Sequence, residues 1–153
     1  MKTSTLFLPA VLVALLAGCA GSVEPEYAPR ELTDINSQVE LDRDWSQGIG
    51  EGLGVARYPI TPALDDGVLY AADQTGLVRA IDAATGERQW QVELGTPISS
   101  GLRAVAGRVY LGTRNGEVVA LDQSSGEEQW RARVSSEVLA PPQANNRLLI
   151  VQS

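Results

Sequence analysis

From residue 61 onward the chain alternates short apolar runs with turns and has no helical periodicity. The runs Val68–Ala72 and Arg108–Gly112 are rich in β-branched and aromatic residues, which favours strands. Leu77–Asp82 and Glu117–Asp122 are apolar on both faces, as expected for strands covered by neighbouring layers. The pattern therefore predicts an all-β fold.

Turn signals divide this region into groups of four strands. Asn115-Gly116 predicts a tight hairpin between the two middle strands, with positive φ at both turn residues. A later turn holds Gly86 in the first group and Gly126 in the second, and a last strand runs through a tryptophan. Residues 61–64 and 102–106 supply one further strand ahead of each group.

These groups are copies of one repeat. Residues 67–90 and 107–130 align at an offset of 40, with ten identical residues among 24. Residues 146–151 begin a third copy, and Trp45 lies at the tail of a preceding one. Four short strands per repeat predict a β-propeller built from four-stranded blades, with about two and a half blades present.

The first residues predict an exported lipoprotein. An apolar stretch over residues 6–17 has the length of a signal-peptide core and is too short to cross a bilayer. Gly18-Cys19 follows directly and matches a lipobox, which predicts a signal peptide over residues 1–18 and acylation of Cys19. Ala20 is not the aspartate that retains enterobacterial lipoproteins at the inner membrane, so we expect an outer-membrane anchor facing the periplasm.

Residues 19–40 carry two prolines and several acids with little apolar periodicity, which predicts a flexible linker before a propeller segment over residues 41–153. The net charge of −7, with no basic stripe, argues against nucleic acid as a partner. Without histidine the chain lacks the commonest general base and metal ligand, and its single cysteine allows no internal disulfide.

The repeated polar and aromatic positions are interpreted as structural. The tryptophans are expected to pack one blade on the next, the glycines to shape turns, and the aspartates to accept backbone N–H bonds at those turns. A catalytic pair is not predicted, because each aspartate occupies the same place in a different blade. The predicted blade-docking residues are Trp45, Trp90, Trp130, Gly86, Gly126, Asp82 and Asp122.

The segment over residues 80–90 resembles the A-x-D-x-x-T-G-x-x-x-W tryptophan-docking motif of quinoprotein-type propellers. Residues 120–130 repeat it with Ser125 in place of threonine. Propellers built from Trp-Asp repeats contain a Gly-His pair and a Trp-Asp pair. The chain has no histidine, which argues against this class of propeller.

Within that superfamily the lipobox, the acidic linker, a first tryptophan strand at Asp44-Trp45 and residues 62–64 and 68–78 are similar to the BamB family. The resemblance implies an eight-bladed ring without cofactor or catalysis. It also implies a scaffold that binds BamA and the rest of the barrel assembly complex, and that helps nascent outer-membrane proteins to fold and insert.

Eight such repeats would need about 320 residues, so we expect the chain to be an N-terminal fragment. In such a fragment Trp45 should lack partners, and residues 20–153 alone should pack loosely or aggregate. Two other functions stay open. One is a periplasmic quinone-dependent dehydrogenase, although the adjacent cysteines that such enzymes use are missing. The other is an unrelated propeller lipoprotein with an envelope-binding role.

Overall fold

The computed structural model describes residues 32–34, 39–55 and 58–153. The chain divides into two compact units, Met1–Glu40 and Leu41–Ser153, and every strand of the described residues lies in the second. The predicted signal peptide, Cys19 and all of the predicted linker except residues 32–34 and 39–40 lie outside the described residues.

The second unit contains two four-stranded antiparallel sheets with neighbouring strands in chain order. The first sheet, blade 1, consists of β1 (Ala63–Asp65), β2 (Val68–Ala72), β3 (Leu77–Asp82) and β4 (Arg88–Glu93). The second sheet, blade 2, consists of β5 (Arg103–Val105), β6 (Arg108–Gly112), β7 (Glu117–Asp122) and β8 (Glu128–Arg133). A last antiparallel pair, β9 (Gln143–Ala144) and β10 (Leu149–Ile150), follows.

The predicted all-β propeller architecture is confirmed in the described residues, which contain four-stranded sheets and no helix. Strands β2, β3, β6 and β7 begin and end at the predicted residues. The first strand of each blade is shorter than predicted, with three residues each in β1 and β5. The predicted third copy begins with the β9–β10 hairpin.

Burial explains why the middle strands follow the sequence pattern so closely. Val78, Ala80 and Ile81 of β3 are almost completely buried, and so are Val119 and Leu121 of β7. Side chains from both blades belong to one hydrophobic cluster, so the two sheets share a core. Each fully buried Val, Leu or Ile contributes about 1.5–3 kcal/mol of hydrophobic stabilisation.

The hairpin predicted at Asn115-Gly116 is confirmed, because β6 and β7 pair across this turn, but the prediction of positive φ at both turn residues is wrong. Among the described residues the only non-glycine residues with positive φ are Asp66 and Ala106, at 45° and 54°. Each precedes a glycine that also has positive φ, and Asp66-Gly67 closes the β1–β2 hairpin in which Asp65 pairs with Val68. Two-residue turns of the I′ kind therefore join the first two strands of each blade. At the predicted site only Gly116 has positive φ.

The predicted strand at Asp44-Trp45 is also wrong. Residues 41–49, all of them described, form no strand. Without a neighbouring strand no ladder of backbone hydrogen bonds can hold this segment, although its side chains are anchored to blade 1 in the way described below.

Candidate functional site

The structure places Trp90, on β4 of blade 1, against a turn of blade 2. Its indole Nε1–H donates a 3.0 Å hydrogen bond to the main-chain carbonyl of Gln123. The ring lies over Gly126, where an added Cβ would be 2.6 Å from the indole Cε3. Gly126 has φ of +76°, a conformation that glycine adopts at little cost. A glycine is thus required here by both the backbone and the packed ring.

Trp45 repeats this arrangement one blade earlier. Its indole donates a 3.0 Å bond to the carbonyl of Ala83, the residue 40 positions before Gln123. Its ring lies over Gly86, where a Cβ would be 2.8 Å from the ring. The expectation that Trp45 lacks partners is therefore wrong, because a side chain can dock without a strand. The docked geometry is the same at both turns.

Trp130 occupies the same strand position in blade 2. It is 37% exposed and donates no side-chain hydrogen bond within the described residues. It does pack beside Tyr110, with ring centroids 6.0 Å apart. Of the three predicted tryptophans, the structure therefore brings Trp45 and Trp90, but not Trp130, onto the glycine of another blade's turn.

A tyrosine takes part in the docking, and the sequence reasoning missed it. The Tyr70 ring lies 5.8 Å from the Trp90 ring, and its hydroxyl donates to the same Gln123 carbonyl at 3.3 Å. Burial raises the pKa of the Tyr70 phenol, although the side-chain amide of Gln123 acts in the opposite direction. The sequence did contain a signal for this role, because tyrosine occupies the same position in both repeats, as Tyr70 and Tyr110.

Asp82 and Asp122 hold the turns that receive the tryptophans. Asp82 Oδ1 accepts the N–H groups of Thr85 at 2.8 Å and Ala84 at 2.9 Å. These bonds, led by that from Thr85, lower the pKa of the Asp82 carboxyl. Asp122 Oδ1 accepts bonds from both Ser124 and Ser125, and the Ser124 hydroxyl is the first cause of its lowered pKa.

Asp73 is a buried carboxylate whose role the sequence reasoning did not identify. It is only 1% exposed, and its Oδ1 accepts bonds from the N–H groups of Thr75, Gly76 and Leu77. Its Oδ2 accepts the N–H of Glu51 at 2.9 Å. Burial alone would raise the pKa of Asp73, but the bonds from Glu51, Thr75 and Leu77 outweigh it, so the pKa is lowered.

A cleft of about 580 Å³ lies between the two blades on the side of the I′ turns. Its wall includes Asp65, Asp66 and Asp122, and the Gln123 amide donates to Asp65 at 2.7 Å. No group of three or more His, Cys, Asp or Glu residues that could hold a metal occurs in the described part of the chain. The same residues include no helix of sufficient length and hydropathy to cross a membrane.

Four-stranded sheets stacked by a repeated tryptophan define a β-propeller of the quinoprotein type. The solved structures that match the chain include a BamB and a quinohemoprotein dehydrogenase. BamB from Moraxella catarrhalis matches with a TM-score of 0.52 and 26% identity, over 60% of this chain and 28% of that one. Quinohemoprotein alcohol dehydrogenase from Comamonas testosteroni matches with a TM-score of 0.52 and 25% identity, over 61% and 17%.

The chain belongs to the BamB family. The family described as "Outer membrane protein assembly factor BamB" matches residues 74–153, more than half of the chain. The protein of that name from Pseudomonas aeruginosa is 39% identical over 106 residues, which are 67% of this chain and 28% of the relative. The one from Escherichia coli K12 is 32% identical over 155 residues, covering 93% and 40%. The chain thus spans about 28–40% of these relatives' length.

Proposed function

We propose that this chain forms the first blades of a non-enzymatic scaffold lipoprotein of the outer-membrane β-barrel assembly machinery. The scaffold binds BamA and helps nascent outer-membrane proteins to fold and insert. It is anchored by acylated Cys19 in the outer membrane and faces the periplasm. Membership of the BamB family is the observation that carries this proposal.

The chemistry of the described carboxylates supports a scaffold. Asp82 and Asp122 each accept several hydrogen bonds from their own turns, and Asp73 accepts bonds through both oxygens. Such bonds hold a carboxylate in its ionised form at neutral pH and lower its basicity. A general base works best with a pKa near the working pH, so these groups are suited to shaping turns.

The proposal is tested by affinity purification of the protein tagged at its chromosomal locus and extracted from envelopes in mild detergent. We expect a large outer-membrane barrel protein with periplasmic domains to be recovered with the bait. A tagged, unrelated outer-membrane lipoprotein is the matched control and should not recover it. Recovery of the bait without a barrel partner would contradict the proposal. Unchanged levels of outer-membrane barrels after deletion of the gene would instead favour the unrelated propeller lipoprotein.

A quinone-dependent dehydrogenase is the second candidate, because the fold also matches a quinohemoprotein alcohol dehydrogenase at 25% identity. The absorption spectrum of the purified protein separates the two functions. A bound quinone absorbs in the near-ultraviolet and visible range, whereas the scaffold should absorb only through its aromatic side chains. A quinone band with the native protein would favour the enzyme.

A further inference from the structure

Residues 45–52, here called the strap, lie along blade 1 as residues 90–97 lie along blade 2. Trp45 docks on blade 1 as Trp90 docks on blade 2. At the other end, the Gln74 N–H donates to the Gly52 carbonyl, just as the Arg114 N–H donates to the carbonyl of Pro97. An offset of 45 residues therefore superimposes the strap contacts on those of residues 90–97.

The two segments differ in what holds them. Residues 90–93 belong to β4 and pair with β3, where Ala80 lies opposite Trp90. The strap forms no strand, although all of its residues are described. A segment without a ladder of backbone hydrogen bonds must be held by individual contacts.

One such contact has no counterpart in blade 2. The Oδ2 atom of Asp73 accepts the Glu51 N–H at 2.9 Å, and the backbone of Gly50 packs so closely that a Cβ there would collide with the carboxylate. Blade 2 has Thr113 at the equivalent position. The Thr113 hydroxyl accepts the Glu117 N–H within its own turn and, in the described residues, no bond from residues 90–97.

We propose that the buried carboxylate of Asp73 is a latch that fastens the strap to the first blade. Its Oδ1 closes the turn after β2 and its Oδ2 holds the strap, so one side chain joins two segments separated by 22 positions. In blade 2 the Thr113 hydroxyl closes the turn and, in the described residues, accepts no bond from residues 90–97. The latch therefore fixes residues 50–51 of the strap against the turn after β2. It does not depend on the proposed scaffold function.

Hydrogen exchange of the full chain, read by mass spectrometry on peptides that cover residues 45–52, tests the latch. Asp73→Thr installs the residue found in blade 2, whose hydroxyl accepts one turn N–H, the counterpart of that of Leu77, so the variant should keep this bond and lose the strap bond. Gly50→Ala leaves Asp73 intact and displaces the strap from it. We expect both variants to take up deuterium in the strap at least tenfold faster than the wild type, with unchanged uptake in β6 and β7.

Asp122→Asn is the matched control, because this carboxylate closes a turn in blade 2 and has no bond to the strap. It should leave uptake in the strap unchanged. Unchanged uptake in Asp73→Thr, or a uniform rise in both blades, would overturn the latch. An equal rise in the control would also overturn it, because loss of any turn carboxylate would then loosen the strap.

Discussion

At the scale of single residues, two glycines of blade 2 share a backbone conformation and differ in their surroundings. Gly107 and Gly126 both have φ of +76°. A Cβ at Gly107 would meet no atom within 4 Å, whereas one at Gly126 would meet the Trp90 ring at 2.6 Å. The pair therefore separates backbone strain from tryptophan docking.

Gly107→Ala should lower the free energy of unfolding by about 1–2 kcal/mol, the cost of a left-handed backbone for an L-residue. Gly126→Ala should cost about 1–3 kcal/mol more, because the docked ring must also move. Urea unfolding of both variants measures the difference. Equal losses of unfolding free energy in the two variants would show that the Trp90 ring moves aside at no cost, which would contradict the docking role proposed for Gly126.

Trp90 combines ring packing with one hydrogen bond, and two substitutions separate these contributions. Trp90→Phe keeps an aromatic ring and loses the donor to Gln123, so it should cost about 1 kcal/mol. Trp90→Ala removes the ring as well and should cost about 3 kcal/mol or more. Gln89→Ala, at the exposed neighbouring position, is the control and should stay within about 0.5 kcal/mol of the wild type. Thermal melts of the three variants rank their losses of stability.

The sequence pointed to Trp45 and Trp90, which the structure places on turn glycines, and to Trp130, which it does not; it missed Tyr70 and Asp73. Tryptophan and glycine stood out because both recur at the repeat offset. Asp73 did not stand out, because the second repeat has Thr113 at its place and because its distant partner is a backbone N–H. A main-chain donor leaves no trace in residue type, so only the folded structure brings Asp73 and Glu51 together.

At the scale of elements, the I′ turns are where non-glycine residues adopt a left-handed backbone conformation. Ala106 has φ of 54°, a left-handed conformation that is unfavourable for alanine. Asp66, at the same place in blade 1, tolerates this conformation better. Ala106→Asn should therefore raise the free energy of unfolding by about 0.5–1 kcal/mol. Asp66→Asn should change it little. A lower urea midpoint for Ala106→Asn would contradict the turn assignment.

At acidic pH the stability of the protein should depend on protonation of the Asp73 carboxylate, which holds the strap. The pKa of Asp73 is lowered from its ordinary value of 3.8, so its stabilisation is complete above that value. It is lost as the pH falls from about 3.8 through the lowered pKa, because the unfolded chain takes up the proton first. We expect Asp73→Thr to flatten this part of the stability profile measured by urea unfolding. A profile parallel to the wild type would contradict it.

The middle strands could be predicted to the residue, whereas the first strands and turns could not. Burial on both sides makes β3 and β7 mostly apolar, with Arg79 as the charged residue inside β3, and both strands end at an aspartate. A turn depends on which residues of the flanking strands face each other, and Asp65 opposite Val68 is not visible in composition. The strand predicted at Asp44-Trp45 was wrong because a strand needs a partner, whereas docking of Trp45 does not.

At the scale of the whole molecule, the anchor proposed at Cys19 predicts where the protein resides. Cys19→Ser removes the thiol that carries lipid, so the protein should move from the membrane fraction to the soluble periplasmic fraction. Fractionation with immunoblotting measures this, and Ala20→Ser serves as a neighbouring control that should stay membrane-bound. Retention of Cys19→Ser in washed membranes, with the signal peptide removed as shown by the protein's mass, would argue against lipid as the anchor.

The docking tryptophans donate to main-chain carbonyls, and this leaves the accepting positions open to change. Alanine occupies that position in blade 1 and glutamine in blade 2, with the same 3.0 Å bond. A copied blade can therefore stack on its neighbour whatever side chain stands there, provided that the glycine and the tryptophan are kept. Duplication of a blade can therefore lengthen such a chain without any further substitution. The accepting side chains can then change and make new contacts, as Gln123 does when its amide donates to Asp65.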